Sequence, residues 1–453
     1  MRSSKNSSLN IRKIIFQKKE NKKILFCLLL SVIFLILFLF SFDDFNGSDF
    51  NLVLTFAGDA IPHYMIRSII DSKGEKGILD AFYFVKNYLN SDASFFNLET
   101  TITDKPNSVK PYHFSVEPVF LNSINKIGFT HYTIANNHSL DYGEDGFIKT
   151  LSFIDKNRAT GYMVDGQISY LLFSINDIKI AFFSFTTLSN YPVGSKLKNK
   201  PVYIENCFEN KELINLIEKL DKQADILIAG IHWGNEYQLI PDESQKKIAR
   251  FLIDKGVDII WGSHPHVIQP FEIYNDKLIL YSCANLISGQ AYNIGSKEET
   301  DFHQNYFYTR AVPIIRVFFG KDKKLVRIEL IPFFQLNNFF VRSKMESYFT
   351  TLIPTKYFVN DSDNPSQKIF FNYFQKDELS EISQDVQNKG EKLYFFEYIK
   401  NNLLDKKTIK NIILANNILY NTFFYNYLDK NNENEIKNYD KILQTEDSYI
   451  FER

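Results

Sequence analysis

Polar residues that could bind a metal ion occur in five separate clusters of this 453-residue sequence. Their side chains supply carboxylate oxygens, an amide oxygen and imidazole nitrogens. The candidate ligands are Asp59, Glu99, Asn137, His232, His264 and His266. Mixed oxygen and nitrogen donors favour Mn, Zn or Fe over Ca. The residue types therefore predict a divalent transition-metal site, which would lower the pKa of a bound water and so supply a nucleophile.

Each cluster directly follows an apolar run that is typical of a β-strand. The five runs are residues 51–57, 93–96, 129–135, 224–231 and 257–261. In α/β sheets, ligands bind outside the carboxyl ends of the strands. We therefore expect all five clusters to meet at one site.

Each of these residues also has a structural interpretation when it is considered alone. A strand-end aspartate such as Asp59 is usually a helix N-cap, and Asn136-Asn137 is typical of a turn. A single histidine such as His232 could be a hydrogen-bonded core residue. Because all five strand ends carry suitable donors, the metal site is the better interpretation. His138, directly after Asn137, could then donate a proton to a substrate.

The pattern of elements around these clusters predicts an α/β domain over residues 50–340. Its clearest unit spans residues 242–261, where apolar residues at helical spacing are followed by Gly256 and a buried strand. After residue 340 the sequence becomes rich in Asn and Lys. We predict a mostly helical carboxy-terminal extension over residues 341–453.

The amino-terminal region predicts a membrane anchor. Residues 24–42 contain no formal charge and would reach roughly 28 Å as a helix, close to the ~30 Å hydrocarbon core. Eight basic residues lie in residues 1–23, and acids follow residue 42. This asymmetry predicts a cytoplasmic tail and an extracytoplasmic domain, in a single-pass protein of the cytoplasmic membrane. A cleaved signal peptide is the alternative, but the run lacks a small-residue cleavage site.

Charge and cysteine content exclude several classes of protein. Without its first 23 residues, the chain has 44 bases and 52 acids, a net charge of −8. No broad basic surface for nucleic acid is therefore expected. Three cysteines exclude a disulfide scaffold, although a single Cys207–Cys283 bridge stays open.

The polar motifs together resemble the CapA family of poly-γ-glutamate capsule biosynthesis proteins, within the calcineurin-like metallophosphoesterase superfamily. The resemblance covers about residues 50–320. The matching motifs are GD (58–59), NLE (97–99), ANNHSLDYGEDG (135–146), HWGNEY (232–237), GSHPHVIQ (262–269) and YSCAN (281–285).

This resemblance implies two stacked mixed β-sheets flanked by helices, with one or two metal ions between them. It implies that Glu99 bridges the ions, that the other five candidate ligands complete the set, and that His138 assists the leaving group. Asn97, Asn136 and Asn285, in the same motifs, are predicted to contact substrate. The superfamily's D-x-H motif has Ile61 at the histidine position, so one ion lacks a ligand.

Three functions are consistent with the sequence. The first is a membrane-anchored component of capsule or poly-γ-glutamate biosynthesis or export, with an anionic extracellular polymer and other membrane capsule-synthesis subunits as partners. The second is a metal-dependent hydrolase of a phosphoester or of a polymer amide bond. The third is a polymer-binding module with a vestigial metal site.

Overall fold

The computed structural model describes residues 50–106, 112–192, 199–290, 306–342, 345–354, 441–444 and 449–452. The helices in these ranges are α1 (Tyr64–Lys73), α2 (Glu75–Ala81), α3 (Pro118–Ile127), α4 (Gly143–Phe153), α5 (Lys211–Asp221) and α6 (Glu243–Asp254). The strands are β1 (Phe50–Ala60), β2 (Ala93–Leu98), β3 (Thr101–Ile102), β4 (Ser115–Val116), β5 (His131–Thr133), β6 (Ala159–Thr160), β7 (Met163–Val164), β8 (Gln167–Ile168), β9 (Tyr170–Ile175), β10 (Ile178–Thr186), β11 (Ile226–His232), β12 (Ile259–Ser263), β13 (Phe271–Tyr274), β14 (Lys277–Leu280), β15 (Asn285–Ile287), β16 (Ala311–Gly320), β17 (Leu325–Arg342), β18 (Met345–Pro354), β19 (Lys441–Gln444) and β20 (Tyr449–Glu452). Short 3₁₀ turns occupy Val85–Tyr88 and Tyr306–Arg310.

Most of these strands form two large sheets. The first has the order β19-β20-β17-β16-β1-β2-β5-β6, with β15 also paired to β1 and β18 to β17. The second has the order β13-β14-β12-β11-β10-β9. In the first sheet β1, β2, β5 and β15 run parallel, and in the second β10, β11, β12 and β14 do so. The carboxyl ends of the site strands therefore lie at one edge of each sheet.

The two sheets pack face to face through an aromatic core. Phe95 of β2 meets Phe182 of β10 edge-on, with ring centroids 5.2 Å apart. Trp261 of β12 lies 6.1 Å from both Phe56 and Phe95, and its indole Nε1 donates a hydrogen bond to the Ala57 carbonyl at 3.0 Å. A second core covers the other face of the smaller sheet, against α5 and α6. The predicted α/β architecture with stacked sheets and flanking helices is confirmed.

The sequence unit at residues 242–261 folds as its pattern predicts. Asp242 caps α6 by accepting a hydrogen bond from the Gln245 backbone N–H, and the Gln245 side-chain Oε1 accepts one from the Asp242 N–H. This capping box satisfies amide groups that the first helical turn leaves unpaired. The helix buries Ile248 and Leu252 and leads into β12. Cys207 and Cys283 are both buried and free, so they form no disulfide.

The prediction of a mostly helical region over residues 341–453 is wrong for the residues that the structure describes there. These residues form the end of β17 and the strands β18, β19 and β20, which extend the first sheet. β18 and β20 pair with β17, and β19 pairs with β20, so strand pairing in the sheet overrides the local sequence pattern. Residues 355–440 lie outside the described residues, and the division into domains at residue 340 stays a prediction.

The predicted membrane anchor at residues 24–42 also lies outside the described residues. Within the part of the chain that is described, no helix has the length and apolar content needed to cross a membrane.

Candidate metal centre

The structure brings the predicted ligands together where the carboxyl ends of both sheets meet. Asp59 ends β1, Glu99 follows β2, and Asn137 follows β5. His232 ends β11, while His264 and His266 follow β12. All six side chains are buried. A hydrogen bond joins the two sheets here: the His264 N–H donates to Asp59 Oδ2 at 3.0 Å.

Two glycines allow the chain to approach itself closely beside the ligands. Gly58 precedes Asp59, and a Cβ at this position would lie 1.9 Å from the Ala284 carbonyl oxygen. Gly262 lies two residues before His264, and a Cβ there would lie 2.0 Å from the Tyr281 carbonyl oxygen. Neither position can accept a larger residue without backbone movement. The glycines of the GD and GSHPH motifs therefore have a direct steric role.

The His264-Pro265-His266 segment has an unusual backbone. His264 has φ +97° and His266 has φ +58°, in the left-handed region that residues with a Cβ rarely adopt. Such conformations cost of order 1–3 kcal/mol each and cluster at functional sites. Here the segment directs both imidazoles inward, which the spacing of the two histidines suggested but could not establish.

One group of donors is built around His232. Its Nε2 lies 2.8 Å from Asn137 Oδ1, 3.1 Å from His264 Nδ1 and 3.7 Å from Glu99 Oε1. The amide of Asn137 is oriented by its Nδ2, which donates to Asn190 Oδ1 at 3.3 Å. Glu99, His232 and His264 form one of the groups whose ligand atoms all lie within 4.8 Å of one another.

A second group of donors consists of Asp59, Glu99 and His266. His266 Nδ1 faces two acceptors, Asp59 Oδ2 at 3.0 Å and Asn285 Oδ1 at 3.1 Å. The amide of Asn285 is oriented because its Nδ2 donates to the Thr309 carbonyl. His266 Nδ1 therefore carries the proton, and its Nε2, 4.0 Å from Glu99 Oε1, keeps a lone pair for a metal ion.

Glu99 belongs to both groups and gives the clearest test of whether a cation fits. Its Oε1 is buried and has no hydrogen-bond partner among the described residues. Burial raises the pKa of this carboxyl well above its usual range, and Asp59, Glu236 and Asp141 raise it further. A buried carboxylate oxygen between imidazoles is the environment that a divalent cation stabilises. The donor set therefore fits a divalent transition metal.

His232 and His264 are in the protonation state that a metal requires. Burial lowers the pKa values of His232 and His264 well below their usual range, and the neighbouring histidines lower them further. Both imidazoles are therefore neutral near pH 7 and can donate a lone pair. Ile61, at the position of the superfamily's histidine, is buried and has no side-chain donor; its N–H donates to the Ile287 carbonyl and its own carbonyl accepts from the His63 N–H.

His138 stands beside the centre rather than within the donor groups. Its Nε2 lies 3.9 Å from Glu99 Oε1, and its Nδ1 lies 2.9 Å from Asp141 Oδ2. Asp141 also accepts a hydrogen bond from the Phe114 N–H at 2.7 Å. A carboxylate in this position orients the imidazole. His138 could thus transfer a proton beside the centre.

The three asparagines predicted to contact substrate are largely engaged within the protein. Asn136 donates from Nδ2 to Asn97 Oδ1 and to the Leu98 carbonyl, and its Oδ1 accepts from the His138 N–H and Ser139 Oγ. Asn97 donates to Asp59 Oδ1 at 2.7 Å. These bonds give Asn97, Asn136 and Asn285 a role in orienting the ligands, which argues against direct substrate contact.

Sequence reasoning missed three residues at this site. Asp141 lies in the same NNHSLD motif as its partner His138. Glu236 lies in the HWGNEY motif and forms a third donor group with His264 and His266. His63 lies near the centre: its pKa falls to about 3 through burial and the proximity of His266 and His138. The signal in the sequence that could have identified His63 was its position four residues after Asp59, a predicted ligand.

The two-sheet α/β fold and this site define a class of protein with a candidate divalent-metal centre at converging strand ends. Residues 53–290 match the family described as Bacterial capsule synthesis protein PGA_cap. The chain belongs to this family, and the matched region contains every predicted site residue.

Two relatives and one solved structure illustrate the similarity. The PGA biosynthesis protein CapA of Bacillus subtilis (strain 168) is 30% identical over 293 residues, which are 61% of this chain and 75% of that protein. The capsule biosynthesis protein CapA of Bacillus anthracis is 28% identical over 259 residues, or 53% and 61% of the two chains. A 5'-nucleotidase from Candida albicans SC5314 is 11% identical, with a TM-score of 0.34 over 59% of this chain and 47% of that chain.

Proposed function

We propose that the protein is a membrane-anchored component of capsule or poly-γ-glutamate biosynthesis or export, and that its α/β domain handles the polymer outside the membrane. The family match over residues 53–290 carries this proposal, because it includes the complete candidate metal centre. Relatives at about 30% identity are named for PGA and capsule biosynthesis. Other membrane subunits of capsule synthesis are the expected partners.

The proposed centre addresses an electrostatic difficulty of this function. The chain after residue 23 has a net charge of −8, which would repel an anionic polymer. A divalent ion, when bound, supplies local positive charge and Lewis acidity. Asp59, Glu99, Asn137, His232, His264 and His266 would hold it. With an ion bound, the strand ends would attract polymer carboxylates while the rest of the surface stays acidic.

The membrane placement rests on the sequence. Eight basic residues before residue 24 and acids after residue 42 favour a cytoplasmic amino terminus and an extracytoplasmic domain. Protease added to intact spheroplasts should then digest the domain. Full protection of the domain, with digestion only after lysis, would contradict this topology.

A metal-dependent hydrolase is the second candidate, acting on a phosphoester or on a polymer amide bond. The observation that favours it is the His138–Asp141 pair at 2.9 Å, with the imidazole directed to the metal groups. A protonated His138 could donate its proton to the departing oxygen or amine. A polymer-binding module with a vestigial metal site is less well supported, because the buried Glu99 Oε1 is placed to face a cation.

Complementation of a gene deletion tests these functions together. The deletion strain should lose surface polymer, and the wild-type gene should restore it. We expect Glu99→Gln to fail, because it removes the charge that both donor groups share, and Glu218→Gln, an exposed control on α5, to succeed. Unchanged amount and length of polymer after deletion would refute the capsule function.

His138→Ala separates the two leading candidates in the same strain. Under the hydrolase alternative, this variant should restore the polymer with an altered chain length. Under a role in assembly or export without chemistry, it should restore both amount and length.

A further inference from the structure

Glu236 is a carboxylate at the open side of the candidate metal centre, and the sequence-based ligand set does not include it. Its carboxylate forms a group with the imidazoles of His264 and His266, in which all ligand atoms lie within 4.8 Å of one another. The two histidines are buried, whereas Glu236 is exposed. The carboxylate therefore approaches from solvent while the other donors approach from the strand ends.

The loop that carries Glu236 is fixed against the loop that carries the two histidines. The Tyr237 N–H donates to the Pro265 carbonyl at 2.8 Å, and Tyr237 adopts φ +63°. Gln269 Nε2 donates to the Gln238 carbonyl at 2.9 Å. Because the two residues that follow Glu236 are held in this way, the backbone keeps its carboxylate beside the histidines.

The metal centre lacks one ligand that a carboxylate can supply. Ile61 provides no ligand where the superfamily has a histidine, which leaves Asp59, Glu99 and His266 as the second donor group. Zinc takes four ligands, and other divalent transition metals take more.

We propose that Glu236 is a third carboxylate ligand of the metal centre, entering from its open side where His264 and His266 face it. This inference rests on the metal centre of the proposed function. It gives the HWGNEY motif two separate donors: His232 from the end of the strand and Glu236 from the loop beyond it. It also adds negative charge at the entrance, which favours hard divalent ions such as Mn²⁺.

Metal titration of the purified full-length protein tests this proposal without any assay of activity. The probe is Mn²⁺, measured by calorimetry and by its electron paramagnetic resonance spectrum. Glu236→Gln keeps the size of the side chain and removes its charge, and Glu236→Asp keeps the charge on a shorter side chain. Glu218→Gln is the matched control, because it removes an exposed carboxylate outside the three donor groups.

We expect Glu236→Gln to bind Mn²⁺ at least 10-fold more weakly, with a changed resonance spectrum, since even residues that only support ligands contribute 10–100-fold. Glu236→Asp should be intermediate, and Glu218→Gln should match wild type. Thermal unfolding with a chelator checks that each variant is folded.

Wild-type affinity and spectrum in Glu236→Gln would overturn the proposal while leaving the metal centre intact. A wild-type protein that binds no Mn²⁺, Zn²⁺ or Fe²⁺ would overturn both.

Discussion

The two sheets contribute different chemistry to the same centre. The larger sheet supplies the oxygen donors, Asp59, Glu99 and Asn137, from β1 and from the segments after β2 and β5. The smaller sheet supplies the nitrogen donors, from the end of β11 and the segment after β12. Neither sheet alone carries a complete ligand set. The centre therefore depends on the packing between the sheets, and each half can be perturbed separately.

The largest expected effect follows from removing two of the three imidazole donors that the smaller sheet supplies. His264 belongs to one of the groups that share Glu99, and His266 belongs to the other. The double variant His264→Ala, His266→Ala should therefore lower metal affinity at least 100-fold, about 2.7 kcal/mol, in a titration with Mn²⁺ or Zn²⁺.

His113→Ala, which alters a histidine outside the donor groups, is the control for that experiment. Asp59→Asn adds a second test of the metal centre. This variant leaves the Glu99–His232–His264 group intact and should reduce the binding stoichiometry rather than abolish binding. Unchanged affinity in the double variant would show that the imidazoles are not ligands.

An intermediate effect is expected where the two sheets meet. Trp261 packs on Phe56, Phe95 and Phe182, and its Nε1 bonds to the Ala57 carbonyl two residues before Asp59. Trp261→Phe leaves this buried carbonyl without its donor and should lower the free energy of unfolding by about 2 kcal/mol. Denaturant titration measures this.

Phe208→Leu serves as the control for Trp261→Phe, because Phe208 is 46% exposed and its substitution should change stability by less than about 0.5 kcal/mol. Equal losses in the two variants would mean that the contact between the sheets contributes nothing specific.

The last effect is gradual and concerns the dependence of stability on pH. Burial, with His266 and His138 nearby, lowers the pKa of His63 to about 3, against about 6.5 in an unfolded chain. Between these values the unfolded state binds more protons, so stability falls as pH decreases through this window, by up to about 1.4 kcal/mol per pH unit. The contribution of neutral His63 is fully present only above about pH 6.5.

His63→Gln should therefore give a shallower decline in the free energy of unfolding between about pH 6.5 and 4, measured with a chelator present. Parallel curves for wild type and variant would show that His63 is not buried in its neutral form.

The sequence predicted the residues at strand ends better than those on loops. Asp59, Glu99 and His232 follow apolar runs, so parallel pairing alone brings them to the same edge. Glu236 and His63 reach the centre only through the path of their loops, which hydrophobic periodicity does not encode. The strands after residue 340 were missed because their pairing in the sheet, β18 and β20 with β17 and β19 with β20, outweighs local propensity.

The central claim is that Glu99 stands between the donor groups of the two sheets and binds a divalent ion. Crystals grown with Mn²⁺ and measured for anomalous scattering test it directly. We expect an anomalous peak within bonding distance, roughly 2.0–2.3 Å, of Glu99 Oε1 and of at least one of the imidazoles of His232, His264 and His266. Anomalous peaks only on the surface, or none at all, with Glu99 Oε1 still buried and unpaired, would contradict the account.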